Sequence, residues 1–227
     1  MGEKMDTYEL KTIRSKKDEF INYSHIVFDN KNRDALIVDP AWDLNGIIDV
    51  IEKNNLNLKW ILLTHSHKDH VNLVDALNEK YNTEVFISEI ESNFYGYKCD
   101  NLRLLKDNEK LILGSIECKC ILTPGHTAGG MCFIIGKYIF TGDTLFTEGC
   151  GVCDSIGGSS EEMFYSLQRL KAIIPQNTEV YPGHSFGISM GKTMEDLYSI
   201  NIYLNLDEKD EFIKFRDRKN TKPFVFK

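Results

Sequence analysis

The stretch THSHKDH, residues 64–70, places three histidines and one aspartate within six positions, directly after the apolar run WILL at residues 60–63. The apolar run predicts a short buried strand, and the amphipathic residues 71–81 predict a helix behind it. The four side chains would then lie on the turn from a strand into a helix, where open α/β folds place their chemistry. Imidazole and carboxylate suit zinc, iron or manganese, and the lack of cysteine argues against a closed structural zinc site. A metal site is predicted, the alternative being a solvated turn whose histidines cap the helix.

The spacing within this stretch indicates two metal ions rather than one. His65 and His67 alternate and can converge on one cation, whereas Asp69 and His70, carried round by the turn, can bind another. The remaining candidates each follow an apolar segment and a glycine, which lets the backbone turn sharply without a Cβ clash. They are His126 in TPGH, Asp143 in TGD and His184 in YPGH. The sixth histidine of the chain, His25, lies beside an early strand and is predicted not to bind metal.

The chain of 227 residues is long enough for one substantial hydrophobic core but short for two domains. Helical patterns alternate with short apolar strands, and neither an internal repeat nor a Pro-, Gly- or Ser-rich linker interrupts them. One α/β domain over residues 1–227 is predicted, ending in a short basic tail at residues 212–227. The predicted strands are 10–13, 26–28, 36–38, 60–63, 84–87, 117–122, 131–135, 138–140 and 179–181, and the predicted helices are 44–53, 71–81 and 160–173.

The net charge of -7 argues against nonspecific binding to nucleic acid. No apolar run near the start could act as a signal peptide, and no later stretch approaches the length of a membrane span, so a cytoplasmic location without membrane contact is predicted. In that reducing compartment the six cysteines are expected to be thiols. Cys150 and Cys153 form a CxxC, for which a structural loop role is favoured over redox or metal use because no second CxxC exists.

Taken together, these motifs resemble those of the metallo-β-lactamase-fold hydrolases, whose signature is HxHxDH followed by a lone His, a bridging Asp and a last His. Within that superfamily the chain is most similar to the glyoxalase II group. The resemblance also rests on residues 22–42 (NYSHIVFDNKNRDALIVDPAW) and residues 140–151 (FTGDTLFTEGCG). It implies an αββα sandwich of two mixed β-sheets flanked by helices.

The resemblance also implies a distribution of the ligands between two divalent metal ions, zinc before iron or manganese. His65, His67 and His126 would bind the first ion. The second would be bound by Asp69, His70 and His184, with Asp143 bridging the two. Asp39, in the VDP motif, would orient a metal-bound histidine or have a structural role.

Such a centre is suited to hydrolysis, because two cations that share a carboxylate lower the pKa of a bridging water to near neutrality. The resulting hydroxide would attack the carbonyl carbon of a thioester, with no need for a serine or cysteine nucleophile. Asp69 would orient the hydroxide and act as the catalytic carboxylate.

The loop after Gly151 departs from glyoxalase II, which binds glutathione with a Lys and a Tyr at this place. Here the loop continues Val152-Cys153-Asp154, and the C-terminal extension is short. The segments TLFTEGCGVCD, GGSSEEMF, YPGHSFG and FRDRKN instead resemble the zinc-dependent hydrolases of bacterial polyketide biosynthesis clusters. That resemblance implies an editing enzyme that hydrolyses an acyl thioester on an acyl carrier protein.

The basic tail offers candidate residues for binding such a carrier. Carrier proteins are acidic, so Arg216, Arg218 and Lys219 are predicted to form a docking site in an otherwise acidic enzyme. A solvated terminal face is the alternative for these cations.

Three other functions remain open at this point. One is glutathione-thioester hydrolysis, and another is a persulfide dioxygenase, which resembles glyoxalase II but uses one iron in a site of two histidines and one carboxylate. A lactonase would carry nearly the same ligands. A non-catalytic binding protein that keeps the fold is disfavoured, because such a protein is expected to have lost ligands and all seven are present here.

Overall fold

Two six-stranded β-sheets form the centre of the structure, a computed structural model that describes residues 7–218. The strands are β1 (Tyr8–Lys17), β2 (Phe20–Asp29), β3 (Asp34–Val38), β4 (Asn57–Leu62), β5 (Glu84–Ser88), β6 (Leu102–Leu105), β7 (Lys110–Leu113), β8 (Ile116–Leu122), β9 (Met131–Ile135), β10 (Tyr138–Gly142), β11 (Glu179–Pro182) and β12 (Lys192–Thr193). The helices are α1 (Leu44–Lys53), α2 (Lys68–Val71), α3 (Val74–Tyr81), α4 (Glu89–Tyr95), α5 (Ser160–Ile173), α6 (Met194–Ile200) and α7 (Lys209–Arg216), with a 3-10 turn at Ile202–Asn205.

Both sheets mix parallel and antiparallel pairs. The first has the order β1-β2-β3-β4-β5-β6, with antiparallel pairs from β1 to β3 and parallel pairs from β3 to β6. The second has the order β12-β11-β10-β9-β8-β7, in which only β10 and β11 are parallel among the described residues. The predicted sandwich of two mixed sheets is therefore confirmed.

Three hydrophobic clusters fill the layers of this sandwich. Strand β2 contributes side chains to two of these clusters, because successive side chains of a strand point to opposite faces. Val27 packs between the two sheets with Phe133 and Phe140, whereas Ile26 and Phe28 pack on the opposite face with the residues of α1 and α3. The third cluster lies between the second sheet and α5, α6 and α7. Burial on both faces accounts for the nearly unbroken apolar runs of the central strands.

The candidate ligands follow strands of both sheets. Residues 65–70 come after β4 of the first sheet, whereas His126, Asp143 and His184 come after β8, β10 and β11 of the second. An isolated β-bridge between Asn22 and His184 joins the two sheets at this edge. Residues far apart in sequence are thereby brought to one place.

Several elements differ from those predicted. The single helix expected over residues 71–81 is two helices, because the chain breaks at Asn72 and Leu73 to contact the loop after β3. The Trp42 amide donates a hydrogen bond to Asn72 Oδ1 (3.3 Å), and the Leu73 amide donates to the Pro40 carbonyl (3.4 Å). The short elements α4, β6, β7, β12, α6 and α7 were not predicted. Within residues 7–218, no helix combines the length and apolar character needed to span a membrane.

The tail predicted over residues 212–227 begins inside the folded domain. Helix α7 ends at Arg216, and Phe212 within it is fully buried between Phe164 and Tyr203, with ring centroids 5.5 Å and 5.6 Å away. The boundary is therefore corrected, because the apolar face of this helix completes the cluster under the second sheet. Residues 219–227 lie outside the described part of the chain.

We expect Phe212→Ala to lower the free energy of unfolding by about 3–5 kcal/mol, because it opens a cavity in a closely packed cluster. Urea unfolding monitored by circular dichroism measures this loss. The same change at the half-exposed Phe94 is the control and should cost far less. Equal losses at both positions would contradict the assignment of α7 to the core.

Candidate metal centre

Six of the seven predicted ligands form two groups at the edge of the sandwich. The ligand atoms within each group lie no more than 4.8 Å apart: one group is His65, His67 and His126, and the other is Asp69, His70 and His184. The seventh, Asp143, lies between the groups, since its Oδ2 is 3.5 Å from His126 Nε2 and also 3.5 Å from His184 Nε2. The folded chain thus brings all seven together.

The distances between ligand atoms fit bound cations. Zinc–nitrogen bonds of about 2.0–2.1 Å place two ligands of a tetrahedral site about 3.3 Å apart. His67 Nδ1 lies 3.0 Å from His126 Nε2, and His70 Nε2 lies 3.2 Å from His184 Nε2. His184 Nε2 is also 3.1 Å from Asp69 Oδ2. Imidazole nitrogens this close to one another are the arrangement that a shared cation stabilises.

Two buried atoms provide a second test of that fit. Among the described residues, four buried side-chain atoms have no hydrogen-bond partner; Tyr81 and Thr127 carry two of them, and the other two are His65 Nε2 and Asp143 Oδ1. A buried polar atom left unpaired costs about 1–3 kcal/mol. The atoms of His65 and Asp143 belong to predicted ligands, so binding of a cation in each group would satisfy them. The residues present therefore fit two divalent cations.

Hydrogen bonds to the outer nitrogens set the orientation of the imidazole rings. His126 Nδ1 donates to the Val152 carbonyl (2.6 Å), and His184 Nδ1 donates to the Ile21 carbonyl (3.1 Å). Since a carbonyl can only accept, each Nδ1 carries the proton and each Nε2 keeps its lone pair for a metal.

Asp39 orients the two buried histidines of the first motif. Its Oδ2 accepts hydrogen bonds from His70 Nδ1 (3.0 Å) and from the Thr64 hydroxyl (2.6 Å), and its Oδ1 accepts from the Thr64 amide (2.8 Å). Because the Thr64 hydroxyl donates its proton to Asp39, it accepts from His65 Nδ1 at 3.0 Å. The VDP aspartate therefore has the orienting position that the resemblance implied.

The glycine before His184 is required by close packing rather than by its backbone angle. A Cβ at Gly183 would lie 2.5 Å from the His70 ring and 3.0 Å from Asp143 Oδ1. At Gly142, both factors act: its φ is +48°, and a Cβ there would lie 2.2 Å from the Thr64 hydroxyl. Any larger residue at Gly183 would displace His70 or Asp143, and one at Gly142 would displace Thr64, which contacts His65.

Glu91 is a positioning residue that was missed in the sequence. Its carboxylate is fully buried, and its Oε1 accepts hydrogen bonds from the amide (2.9 Å) and hydroxyl (2.8 Å) of Ser66, between His65 and His67. Its Oε2 accepts from the Gly129 amide (3.0 Å), in the loop that carries His126. One side chain thereby joins two ligand loops. Ser88 and Glu91 have the spacing of a helix capping box, a signal that predicts the helix start but not this use of the carboxylate.

The pKa values of the ligands reflect burial and mutual charge. Burial, followed by the neighbouring histidines, holds the pKa of His65 well below its usual value, so the ring is neutral. At Asp143, His184 and His70 outweigh the opposing effect of burial and lower the pKa of the carboxyl. Against burial, Asp143 and Asp39 raise the pKa of His70 to about 9. The carboxylates thus create a negative potential that favours cations.

His25 has no place among the ligands. It is buried, its Nε2 donates to the Pro182 carbonyl (3.0 Å), and its Nδ1 lies 3.0 Å from the Thr12 hydroxyl. Burial lowers the pKa of this histidine to about 4, so it is neutral and its hydrogen bonds are satisfied inside the sandwich.

The cysteines of the CxxC are free thiols beside the site. Burial raises the pKa of Cys150, and it raises the pKa of Cys153 to about 11, so both are protonated and weakly nucleophilic near neutral pH. Their position in the loop after Asp143 agrees with a structural role.

The three candidate docking cations occupy different environments. Arg216 is half-buried and donates a hydrogen bond to the Tyr203 hydroxyl (3.0 Å), whereas Arg218 is exposed with its guanidinium 3.4 Å from the centre of the Phe215 ring. Lys219 lies outside the described residues. The docking site predicted for the three cations is corrected for Arg216, because this residue lines a cavity.

Two adjoining cavities meet at the ligands. The larger, here called the mouth cavity, has a volume of about 460 Å³ and includes Lys17, Trp42, Lys68 and Asp69 in its wall. The inner cavity has a volume of about 190 Å³. The inner cavity is lined by Phe20, Asp143, Phe146, Cys150, Gly151, Val152, His184, Phe186 and Arg216. Because Asp143 and His184 line both, a substrate at the centre can extend in two directions.

The fold and the site define an αββα protein with two adjoining cation sites at one edge of its sheets. The chain belongs to the Metallo-beta-lactamase superfamily, whose family profile matches residues 18–184. It is 47% identical over 216 residues to the "Probable polyketide biosynthesis zinc-dependent hydrolase PksB" of Bacillus subtilis, a match that covers 95% of this chain and 96% of the relative.

Two further similarities agree with this membership. The chain is 35% identical over 186 residues to the hydroxyacylglutathione hydrolase of Pelagibacter ubique, covering 78% of this chain and 71% of that protein. The crystal structure of ETHE1 from Myxococcus xanthus has a TM-score of 0.81 and 25% identity, covering 91% of this chain and 90% of that one. The resemblance stated from the sequence motifs is confirmed.

Proposed function

We propose that this protein is a zinc-dependent hydrolase that cleaves the thioester of an acyl group carried by an acyl carrier protein in polyketide biosynthesis. The observation that supports it most is the position of Asp143, which contacts both ligand groups at the meeting point of two cavities. The similarity to the polyketide relative extends over 95% of this chain, well beyond the ligand motifs.

His65, His67 and His126 would hold one zinc ion, and Asp69, His70 and His184 the other, with Asp143 between them. When bound, the pair of cations activates water near neutral pH and polarises the thioester carbonyl. In the reaction a carbon–oxygen bond forms and the carbon–sulfur bond breaks, which yields the free acid and the thiol of the carrier arm.

Asp69 would orient the attacking water. Asn22 Nδ2 donates to its backbone carbonyl (2.8 Å) and to its Oδ2 (3.3 Å), which fixes the carboxylate. Its side chain is partly exposed and lines the mouth cavity, so it can accept a hydrogen bond from water there. Hydrogen bonds and charges from His184 and His70 outweigh burial and hold the pKa of Asp69 below its usual range. The group is therefore an ionised acceptor at neutral pH.

The mouth cavity supports an anionic substrate arm. Lys17 and Lys68 are exposed in its wall, and Lys17 Nζ lies 4.6 Å from the centre of the Trp42 ring. The phosphopantetheine arm of a carrier protein carries a phosphate, which lysines bind as point charges. Arg218 and Lys219 are proposed to contact the acidic surface of the carrier itself.

Val152 argues against glutathione as the thiol. Its side chain is 50% exposed in the wall shared by both cavities, and it occupies the place where the glyoxalase II pattern has a lysine. A glutathione carboxylate would meet an apolar group there instead of a cation. Recognition of the phosphopantetheine arm would therefore depend on Lys17 and Lys68 in the wall of the mouth cavity.

The proposal is tested with one acyl group presented as a carrier-protein, coenzyme A and glutathione thioester, and with metal content measured on the same preparation. We expect about two zinc ions per chain and a kcat/KM at least ten times higher for the carrier substrate than for glutathione. A preference for glutathione would overturn the carrier assignment. One iron ion with oxygen uptake on glutathione persulfide would instead establish a dioxygenase.

The docking cations are tested by the double variant Arg218→Gln/Lys219→Gln. The ratio of kcat/KM for the carrier substrate to that for a small N-acetylcysteamine thioester should fall about tenfold, because rim charges mainly affect association. The same ratio should also fall as salt is raised. An unchanged ratio in the variant would exclude these two cations from docking.

A further inference from the structure

The inner cavity, whose volume is about 190 Å³, is lined by a cation as well as by candidate metal ligands. Asp143 and His184 line this cavity, and so do Arg216 and the apolar side chains of Phe146 and Val152. We propose that this cavity binds the acyl group of the substrate, and that Arg216 selects acyl groups ending in a carboxylate. The inference rests on the proposed thioester hydrolysis and adds the chemical class of the acyl group.

The volume limits the size of the acyl group. In another protein, an apolar cavity of about 150 Å³ accommodates benzene, so a cavity somewhat larger holds roughly six to eight non-hydrogen atoms. This is below the range of about 300–1,000 Å³ for drug-sized ligands. A short acyl group fits here, whereas a long polyketide chain does not.

The partners of Arg216 leave it without a neutralising charge. Its guanidinium donates to the Tyr203 hydroxyl and lies near the thiols of Cys150 and Cys153, which are protonated. No carboxylate among residues 7–218 forms an ion pair with it. Other arginines of the chain, such as Arg103 and Arg169, are paired with Glu84 and Asp107 at 2.9 Å.

A half-buried guanidinium in a mostly apolar cavity favours an anionic ligand. Partial desolvation strengthens its attraction for a carboxylate, and the planar fork of donors matches the two carboxylate oxygens. The hydrogen bond from Arg216 to Tyr203 and its place on α7 hold the group in position before substrate binds. The thioester carbonyl would lie at the metal ligands while the distal carboxylate reaches Arg216.

Matched pairs of small pantetheine thioesters test this assignment. Malonyl is compared with 3-methylbutyryl and glutaryl with 5-methylhexanoyl, since in each pair an isopropyl group replaces the carboxylate at equal size. We expect the zinc-loaded enzyme to favour the carboxylate member of at least one pair by about tenfold or more in kcat/KM. Arg216→Gln should reduce that preference by about 10- to 100-fold.

Two further variants separate recognition from folding. Lys214→Gln removes a charge from the exposed face of the same helix and should leave the preference unchanged. Tyr203→Phe keeps the buried ring but removes the acceptor of the Arg216 hydrogen bond, so the preference should fall two- to fivefold. Calorimetry with the corresponding non-hydrolysable amides provides a readout independent of turnover, in which Arg216→Gln should weaken binding of only the carboxylate member.

The outcomes distinguish this inference from the function on which it rests. If neither these compounds nor the carrier-protein thioester is hydrolysed, the proposed function fails. If the isopropyl compounds are hydrolysed as well as the carboxylates, or if Arg216→Gln reduces both members of a pair equally, Arg216 does not select a carboxylate. That result would overturn the inference while leaving thioester hydrolysis in place.

Discussion

Replacing Asp143 with alanine is expected to lower kcat/KM for thioester hydrolysis by about a thousandfold or more. The side chain contacts His126 of one ligand group and His184 and His70 of the other, at 3.4–3.5 Å, so its loss removes the residue predicted to serve both groups. Metal-assisted stabilisation of the reacting carbonyl is worth several kcal/mol, and each 1.36 kcal/mol corresponds to about tenfold in rate. Metal content measured by mass spectrometry should fall from about two ions per chain to one or fewer.

Asp154→Ala is the matched control, because Asp154 is an exposed aspartate on the loop that follows the same strand. It should retain both the metal content and the activity of the unchanged protein. Full turnover by a purified Asp143→Ala variant would point to a contaminating hydrolase or would refute the role of Asp143 in both sites. Asp143→Asn, which keeps one oxygen, is expected to retain more metal than Asp143→Ala and still lose most of the activity.

Replacing Glu91 with alanine is expected to weaken zinc binding by about 10- to 100-fold, although Glu91 contacts no metal. The change leaves the Ser66 amide, the Ser66 hydroxyl and the Gly129 amide without the acceptor they share. Each buried polar group left unpaired costs about 1–3 kcal/mol, so the free energy of unfolding should fall by about 3 kcal/mol or more. Competition with a metal chelator measures the affinity, and urea unfolding measures the stability.

Glu91→Gln tests whether the carboxylate acts through these hydrogen bonds. The amide oxygen can still accept from Ser66, but the amide NH₂ would face the Gly129 N–H, so an intermediate loss is expected. Glu89→Ala, on the first turn of the same helix, should change stability by only about 0.5 kcal/mol. Wild-type zinc affinity in Glu91→Ala would contradict the claim that this residue positions the ligands.

Local sequence patterns were sufficient to predict the ligands and the central strands. The HxHxDH motif encodes its own geometry, because a strand followed by a tight turn directs closely spaced side chains to one place. Apolar runs at β9 and β10 indicated buried strands, since nearly every residue along these two strands is buried. The identity of the superfamily follows from those short segments.

Contacts between distant segments were not predictable in this way. Glu91 lies 25 residues from Ser66 and 38 from Gly129, and its helix start has an ordinary capping pattern. The break between α2 and α3 results from hydrogen bonds to residues 40–42, which the helical periodicity of residues 71–81 does not contain. In both cases a tertiary contact decides what local propensity leaves open.

Arg216 illustrates most clearly the difference between what local sequence predicts and what tertiary contacts decide. The sequence by itself determined that residues 212–222 are rich in basic side chains and that seven candidate metal ligands follow apolar segments. Only the tertiary structure decided that α7 folds onto the second sheet and places one of those cations in the inner cavity with Asp143 and His184. The physical reason is that side-chain type and spacing encode local geometry, whereas burial and charge pairing depend on which distant segments pack together.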